Sequence, residues 1–544
     1  MLPSPKFLRV VVLPAVLLLL AGAGLGCYYE TNDDVSITLL LRGVTAAAPV
    51  TDLHLYFHGL AALLATLYRH FPAVPWYGLL LYGLLYAAAV LSFAVLDRLL
   101  RGQLTGAALL GALVVFFGVA WLEHGLWFNY VRVPILLAGG GLLFAAQRSE
   151  QRAALLLGLL AISLAALIRP SAALLGLVAA GPGALWLARR RAVVLIGAVA
   201  LLLGAGQGLL LLTRSPAAAT YRRLDVLKSN RNDFRLTRPR PRTAADRRGL
   251  QAVALWALGD SALVNEELFR RAAPFDAGWF VRTQVPAKLA GLGAQLGRDY
   301  FPLLLLLLAL GAEVARNPRR YQGRRRFWLV QAGFGLLILG LGTVLKFPPR
   351  LGLPVLGLWA LSSLSYVLPV PRRPLRLTPV SVVLLVLVGL LYGYKTWHRV
   401  QVLGQEQRQN LARLHYLQRA AVQPVWVVAG LESTFKARSP FAEPDLAPHS
   451  VLNLTGWVTL DPSQPAFRQY LTGSRAWPTA LHRLTRRADV GWLLAPEAVP
   501  WLSTYRISPK TAGPVHLVFT AAGPSPAAAA GQPQPYQVRV EPME

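Results

Sequence analysis

The chain contains one cysteine, Cys27, and two methionines in 544 residues. An intramolecular disulfide and a zinc centre built on several thiolates are therefore excluded. Charge is scarce as well: Asp, Glu, Lys and Arg make up 15% of the sequence, against about 25% in ordinary soluble domains. Acids are the rarer half, 25 against 55 Lys and Arg, which leaves a formal net charge of +30. No Walker-type GxxxxGK(S/T), no HExxH and no GxSxG occurs, so ATP-driven transport, zinc proteolysis and serine hydrolysis lack their usual parts. What is abundant is apolar side chain, 55% of residues, with a mean hydropathy of +0.45. That surplus excludes both a disordered chain and a string of water-soluble domains.

A membrane crossing needs roughly 20 mostly apolar residues, because the hydrocarbon core is about 30 Å thick. Eleven runs fit that description, about 8–26, 77–96, 104–121, 133–147, 153–168, 171–188, 192–213, 301–315, 327–346, 350–369 and 378–394. In lipid every backbone amide must be paired internally, so each is read as a helix. The first, with Lys6 and Arg9 ahead of it, is read as a retained helix rather than a cleaved signal. The Arg169-Pro170 interruption separates the fifth and sixth runs. The fold expected is mainly α, a polytopic transmembrane helical bundle over 1–394, with a small α/β extracytoplasmic domain over 395–544.

Lys and Arg in short loops set the orientation. With the N-terminus inside, eighteen basic residues fall on the cytoplasmic side, among them Arg98, Arg101, Arg148, Arg189, Arg190, Arg191 and the clusters around Arg324 and Arg372. Six fall on the short outer loops. The expected topology is thus N-inside and C-outside, in the cytoplasmic (inner) membrane. Two long polar regions then face outward, 214–300 with 16 basic residues and 395–544 with 15. The second opens with a helical stretch, 398–421, followed by strand-like runs such as Val425–Val428 and Val515–Phe519. The Ala/Gly/Pro/Gln-rich stretch 521–535 reads as a flexible linker or loop. Arg238-Pro239-Arg240-Pro241-Arg242 resembles a patch for polyanions, but no nucleic-acid fold or stacking surface accompanies it.

The first outer loop, 27–76, carries the densest chemistry. Glu30, Asp33 and Asp34 put three carboxylates within a stretch of five residues just after a membrane helix, a costly location that points to function. Adjacent Asp33 and Asp34 can divide proton acceptance and positioning between them. His54 and His58, four apart, would share one helical face and suit a metal or a substrate contact. No carboxylate completes a zinc pattern there, and a divalent cation stays open as the only cofactor to consider. The stretch from Asp52 to Pro72 reads as an amphipathic helix lying in the interface. The next outer loop brings Glu123 and His124 among aromatics. Arg132, Arg169, Lys346 and Arg350 collect at the same face as a clamp for phosphate.

This plan resembles the GT-C class of membrane glycosyltransferases. The resemblance rests on Asn32-Asp33-Asp34 in a long first outer loop, Glu123 in the next, and a C-terminal outer domain. The chain is also similar to uncharacterised bacterial membrane proteins of that type, through Trp76-Tyr77 before the second helix and Asn232-Asp233 followed by Trp256 and Asp260. It departs from the class in having a lone Glu123 beside a histidine and an Arg-rich middle loop. The resemblance implies a polyprenyl-phosphate-linked sugar as donor and a glycan, lipid or protein as acceptor. It implies Asp33 or Asp34 as general base, Glu123 as its orienting partner, and Arg132, Arg169 and Lys346 as counter-charges to the departing lipid phosphate. Glu30, His54, His58 and His124 would complete the substrate contacts. Two other classes fit parts of the sequence: a carrier or flippase for a lipid-linked or anionic solute, and a non-catalytic envelope assembly protein.

Overall fold

The computed structural model describes residues 4–101, 103–369, 379–442, 446, 449–505, 515–522 and 532–542. Most of the expected linker 521–535 lies outside these residues, as do Arg372, Arg373 and Arg376 of the expected inner loop. The protein is mainly helical, 69% helix, with a small sheet region. Each of the eleven apolar runs is helical, but length and hydropathy separate them. Among the described residues five helices are long and apolar enough to cross a membrane: Pro5–Leu25, Trp76–Leu100, Pro170–Ala188, Arg190–Leu212 and Arg324–Val344. Gly106–Ala120, Arg132–Gln147 and Arg152–Ile168 are apolar but shorter. A 16-residue helix such as Arg132–Gln147 is about 24 Å long, short of the hydrocarbon thickness.

Burial distinguishes the central helices from the outer ones. Arg132–Gln147 has 14 of 16 residues buried and Pro349–Val367 has 15 of 19, whereas Arg190–Leu212 buries only Ala192, Leu195 and Val199. The central helices and the hairpin packed on them touch through glycine. A Cβ on Gly176 would lie 2.2 Å from the Ile135 carbonyl oxygen, and one on Gly158 2.7 Å from that of Gly141. Small residues at these crossings let backbones approach, which substitutes for the hydrophobic force that lipid cannot supply. Arg152–Ile168 and Pro170–Ala188 form this tight hairpin. Arg169 is extended there (φ −158, ψ 102), as the residue before a proline prefers, and Pro170 starts the second helix at N1.

The polar segments gather at one end of the bundle. Tyr28–Tyr29 (β1) pairs in parallel with Trp127–Phe128 (β2), joining the first two loops. The last apolar run does not stop near 394. It continues as one 42-residue helix, Pro379–Ala420, about 63 Å long, so the boundary drawn at 395 falls inside a helix. A five-stranded sheet follows: Val425–Ala429 (β3), Ser450–Asn453 (β4), Val490–Leu494 (β5), Val515–Ala521 (β6) and Gln534–Pro542 (β7). Its order is β4-β3-β5-β7-β6, with β3, β4 and β5 parallel and β7 antiparallel to both β5 and β6.

This sheet is not a separate bead. Leu250, Val253, Leu268 and Phe269 of the middle polar region share one apolar core with Val427, Trp477, Trp492 and Leu494 of the C-terminal region. The first loop joins as well: the Val451 amide donates to the Val44 carbonyl (2.9 Å), and Gln464 Nε2 to that of Thr45 (2.7 Å). At the opposite end, Arg9 and Arg101 pair with Asp97, Arg148 donates to the Ala94 carbonyl and Arg191 pairs with Glu150. Forcing the central helices apart should be costly. Gly176→Val is expected to destabilise the protein by about 1–3 kcal/mol through overpacking, while Gly181→Ala, with open space at its Cβ, should be neutral. Thermal unfolding of the detergent-solubilised variants checks the contrast.

Candidate functional site

A cavity of about 530 Å³ lies where the first loop, the hairpin tip at Arg169, the middle polar region and the C-terminal domain meet. Its polar end holds four cations, Arg169, Lys228, Lys346 and Arg350, and three acids, Asp33, Asp225 and Asp233. Its other end is a lane of Leu174, Leu175 and Val178 from one helix and Leu337, Leu341 and Leu345 from another helix and its cap. Leu174 and Val178 are 54% and 51% exposed, so this lane continues onto the apolar outer surface of the bundle.

Each cation already has a partner. Lys228 pairs with Asp225 at 2.9 Å, Lys346 with Asp233 at 3.0 Å and Arg350 with Glu30 at 3.4 Å. Arg169 Nη1 donates to the Tyr130 hydroxyl at 2.7 Å. Lys346 is half exposed, so its pair contributes little and exchange for a phosphate oxygen costs little. Asp33 differs from the other acids. It is half-buried on the cavity wall, accepts from Thr31 Oγ1 (3.2 Å), and has no ion-pair partner among the described residues. A carboxylate without a counter-charge remains free to accept a proton or a hydroxyl.

The two neighbouring aspartates therefore diverge. Asp33 and Asp34 begin the helix Asp33–Arg42, and consecutive helical residues point about 100° apart. Asp34 is fully buried away from the cavity and accepts from Tyr77 Oη (3.0 Å), Asn129 Nδ2 (3.0 Å) and the Tyr130 amide (3.1 Å). Burial, and secondarily the Asp33 charge, push its carboxyl well above the usual range, while the Tyr77 and Tyr130 donors pull the other way. Glu123 is also buried and outside the cavity. Lys395 Nζ donates to it at 2.7 Å, and Arg399 pairs with its other oxygen. Asp33, Asp34 and Glu123 do not converge.

Comparison with known proteins gives no match. No protein-family model, no curated protein and no solved structure matches the chain.

Of the expected cation clamp, Arg169, Lys346 and Arg350 meet at the cavity and Arg132 does not. Arg132 is completely buried between Glu30 (2.7 Å) and His124, whose Nδ1 accepts at 3.1 Å. Burial and the adjacent guanidinium hold His124 well below the ordinary histidine value. His54 and His58 do not share a helical face. They lie in an irregular stretch that is tied to the hairpin tip by Phe57 N→Ile168 O (2.9 Å) and His58 N→Leu167 O (2.8 Å). The helix expected from Asp52 starts only at Leu60, after Gly59 at positive φ (74°). Among the described residues no group of three His, Cys, Asp or Glu is arranged to hold a metal ion. The sequence pattern points to no role for Asp225 and Lys228 on the helix Pro216–Lys228, for Tyr56 and Tyr130, or for Trp457. What unites them is tertiary, because they come from separate polar segments of the chain.

His54 has an acid of its own. Its Nδ1 lies 3.0 Å from Asp52 Oδ2, which holds the imidazole above its ordinary 6.5 and holds Asp52 below its ordinary 3.8. The stability this pair adds is present below pH 6.5, lost as pH rises through the raised His54 value, and lost again as pH falls through the lowered Asp52 value. Asp52 is largely exposed, so the effect is small. Nuclear magnetic resonance of labelled histidine should find His54 titrating above 6.5 and moving down in Asp52→Asn; an unchanged titration would mean that the pair does not form. A second outcome separates the aspartates. Asp34→Ala strands three buried donors and should cost on the order of 3 kcal/mol. Asp33→Asn should change stability by no more than about 0.5 kcal/mol, both read from thermal unfolding.

Proposed function

We propose that this protein is an integral membrane glycosyltransferase that moves a sugar from a polyprenyl-phosphate donor to an acceptor outside the cytoplasm. The observation that carries the reading is the two-ended cavity. One end has four cations and a carboxylate without an ion-pair partner among the described residues; the other is a leucine lane continuous with the apolar outer surface. A lipid phosphate sugar has the same two ends. The cavity is larger than a monosaccharide requires and lies at one end of the bundle, the position expected of a site for a membrane-borne substrate.

In the reaction, Asp33 accepts the proton of the acceptor hydroxyl as that oxygen bonds to the anomeric carbon. The bond from the anomeric carbon to the phosphate oxygen breaks, and the electron pair leaves with the lipid phosphate. Arg169, Lys346 and Arg350 neutralise that charge, exchanging their internal partners for phosphate oxygens. Asp34 holds Tyr130, and through its hydroxyl Arg169, in position. In this reading Glu123 and Arg132 support the site without touching substrate.

The proposed topology is eleven crossings with the N-terminus inside. Its support is parity: six apolar helices separate the first loop from the middle polar region, and four separate that region from the C-terminal domain. Even numbers keep all three on one side, as their shared packing requires. Of the helices outside those five, Arg132–Gln147 and Pro349–Val367 would cross within the protein core, where neighbours rather than lipid surround them. The cytoplasmic membrane is proposed as the location on the charge bias of the loops.

Asp33→Asn should lower transfer to added acceptor by about 100-fold or more, with membrane expression and thermal unfolding unchanged. Lys346→Ala and Arg169→Ala should lower kcat/KM for the donor, with part of the loss in kcat because they stabilise the departing phosphate. Full activity in Asp33→Asn would refute the assignment, and solute uptake into proteoliposomes without any glycosyl product would favour a carrier.

A further inference from the structure

The cavity carries more aromatic surface than lipid or phosphate needs. Tyr56, Tyr130, Phe234, Trp256 and Trp457 all line it. Tyr56 meets Tyr130 at 5.7 Å between ring centroids and Trp457 edge-on at 5.8 Å, and Lys228 lies 4.9 Å above the Trp256 ring. The backbone is bent to bring them there. Six non-glycine residues have left-handed φ among the described residues, and four of them sit at or within two positions of these rings: His54 (φ 61), Phe57 (φ 56), Arg235 (φ 49) and Trp256 (φ 60). Such conformations persist where the surroundings impose them, and they concentrate at binding sites.

Trp457 comes from the C-terminal domain. It follows β4, beyond the carboxyl ends of the parallel strands β3 and β4, the edge where open α/β sheets form their ligand crevices. The loop that carries it is fixed. Gly456 (φ 90) passes so close to Glu432 that a Cβ would lie 2.2 Å from its Oε1. Thr455 Oγ1 accepts from the Gly430 amide at 2.8 Å and lies 3.4 Å from each Glu432 carboxylate oxygen. Trp457 itself is only partly buried, so ring surface remains open to the cavity.

We propose that this aromatic collar is the sugar subsite of the donor, with Trp457 the ring on which the sugar packs, so that the C-terminal domain reads the carbohydrate. The proposal rests on the glycosyltransferase reading and extends it to a residue and a domain. One face of a pyranose presents polarised C–H groups, which pack favourably on the negative face of an indole. The hydroxyl edge of the sugar then turns toward Asp225, Asp233 and the Tyr130 hydroxyl, which can exchange hydrogen bonds with it. Phosphate and lipid tail make no use of such a surface.

The test uses the full chain in nanodiscs and compares binding of a bare polyprenyl phosphate with that of its glucosyl, galactosyl, mannosyl and N-acetylglucosaminyl forms. At least one glycosylated form should bind the wild type about fivefold or more tightly than the bare lipid phosphate. Trp457→Ala should reduce that ratio to under about twofold while leaving affinity for the bare lipid phosphate unchanged, and Trp457→Phe should keep most of it. The retained phosphate affinity serves as the folding control. If the wild type does not bind the bare lipid phosphate, the glycosyltransferase reading fails and this inference with it. If the lipid phosphate binds but no sugar adds affinity, or the ratio survives in Trp457→Ala, or both affinities fall together, only the sugar subsite is overturned.

Discussion

The arrangement of the polar end depends on one buried carboxylate. Asp34 collects donors from three directions: the Tyr77 hydroxyl on the helix Trp76–Leu100, the Asn129 amide and the Tyr130 backbone. A group with four lone-pair sites and no exposure is confined to wherever those donors stand, and they are confined in turn, since each would be orphaned without it. Tyr130 is thereby fixed, and its hydroxyl receives Arg169 from the tip of the helical hairpin. One side chain thus aligns the first loop, the second loop, a long apolar helix and the hairpin around the cavity. Asp33, one position earlier, is left on the wall. Adjacent acids with opposite surroundings are a general way to obtain one structural and one reactive carboxylate from a short motif.

A second ionic system runs beneath the first. Glu30 links the cavity's Arg350 to the buried Arg132. The Arg132 guanidinium lies 5.8 Å from the centroid of the Trp127 ring, and that of Arg399 lies 4.3 Å from the same centroid. Arg399 then reaches Glu123 and Asp299. Buried ion pairs add little net stability, but removing one partner is strongly destabilising. Their effect is therefore positional, since every alternative packing would strand a charge.

Composition and run length made the helical, membrane-type character legible, because a soluble fold has no place to bury so many 20-residue apolar windows. The break at Arg169-Pro170 was legible too, since proline restricts the residue before it. The C-terminal helix boundary was not. Pro379–Ala420 passes from apolar to Gln- and Arg-rich sequence without a break, so hydropathy changes where the backbone does not. The site was half legible. Asp33, Arg169, Lys346 and Arg350 do gather at one cavity, but Glu123 and Arg132 carry the same chemistry and are taken up by ionic partners elsewhere. Local sequence cannot distinguish a paired charge from a free one. Trp457 lies 424 positions from Asp33, a separation no motif reading bridges.

The rigidity of this end bears on how a substrate would reach it. Lys395 and Arg399 lie on the long helix that leads into the C-terminal domain, and both are held by Glu123 and by Asp299, through its backbone carbonyl and its carboxylate respectively. The domain also shares its apolar core with the middle polar region and bonds to the backbone of the first loop. Lifting it to open the cavity from above would expose that core and strand several buried charges together. The lane between Pro170–Ala188 and Arg324–Val344 needs no such change, because its outer residues are exposed on the bundle surface. In the proposed reaction a lipid-linked donor would therefore enter from the side by displacing only bilayer lipid. In the same reading an acceptor arriving from water would approach past Asp33 and the aromatic residues that line the cavity. That division would keep the two substrates on separate paths until their reacting atoms meet beside Asp33.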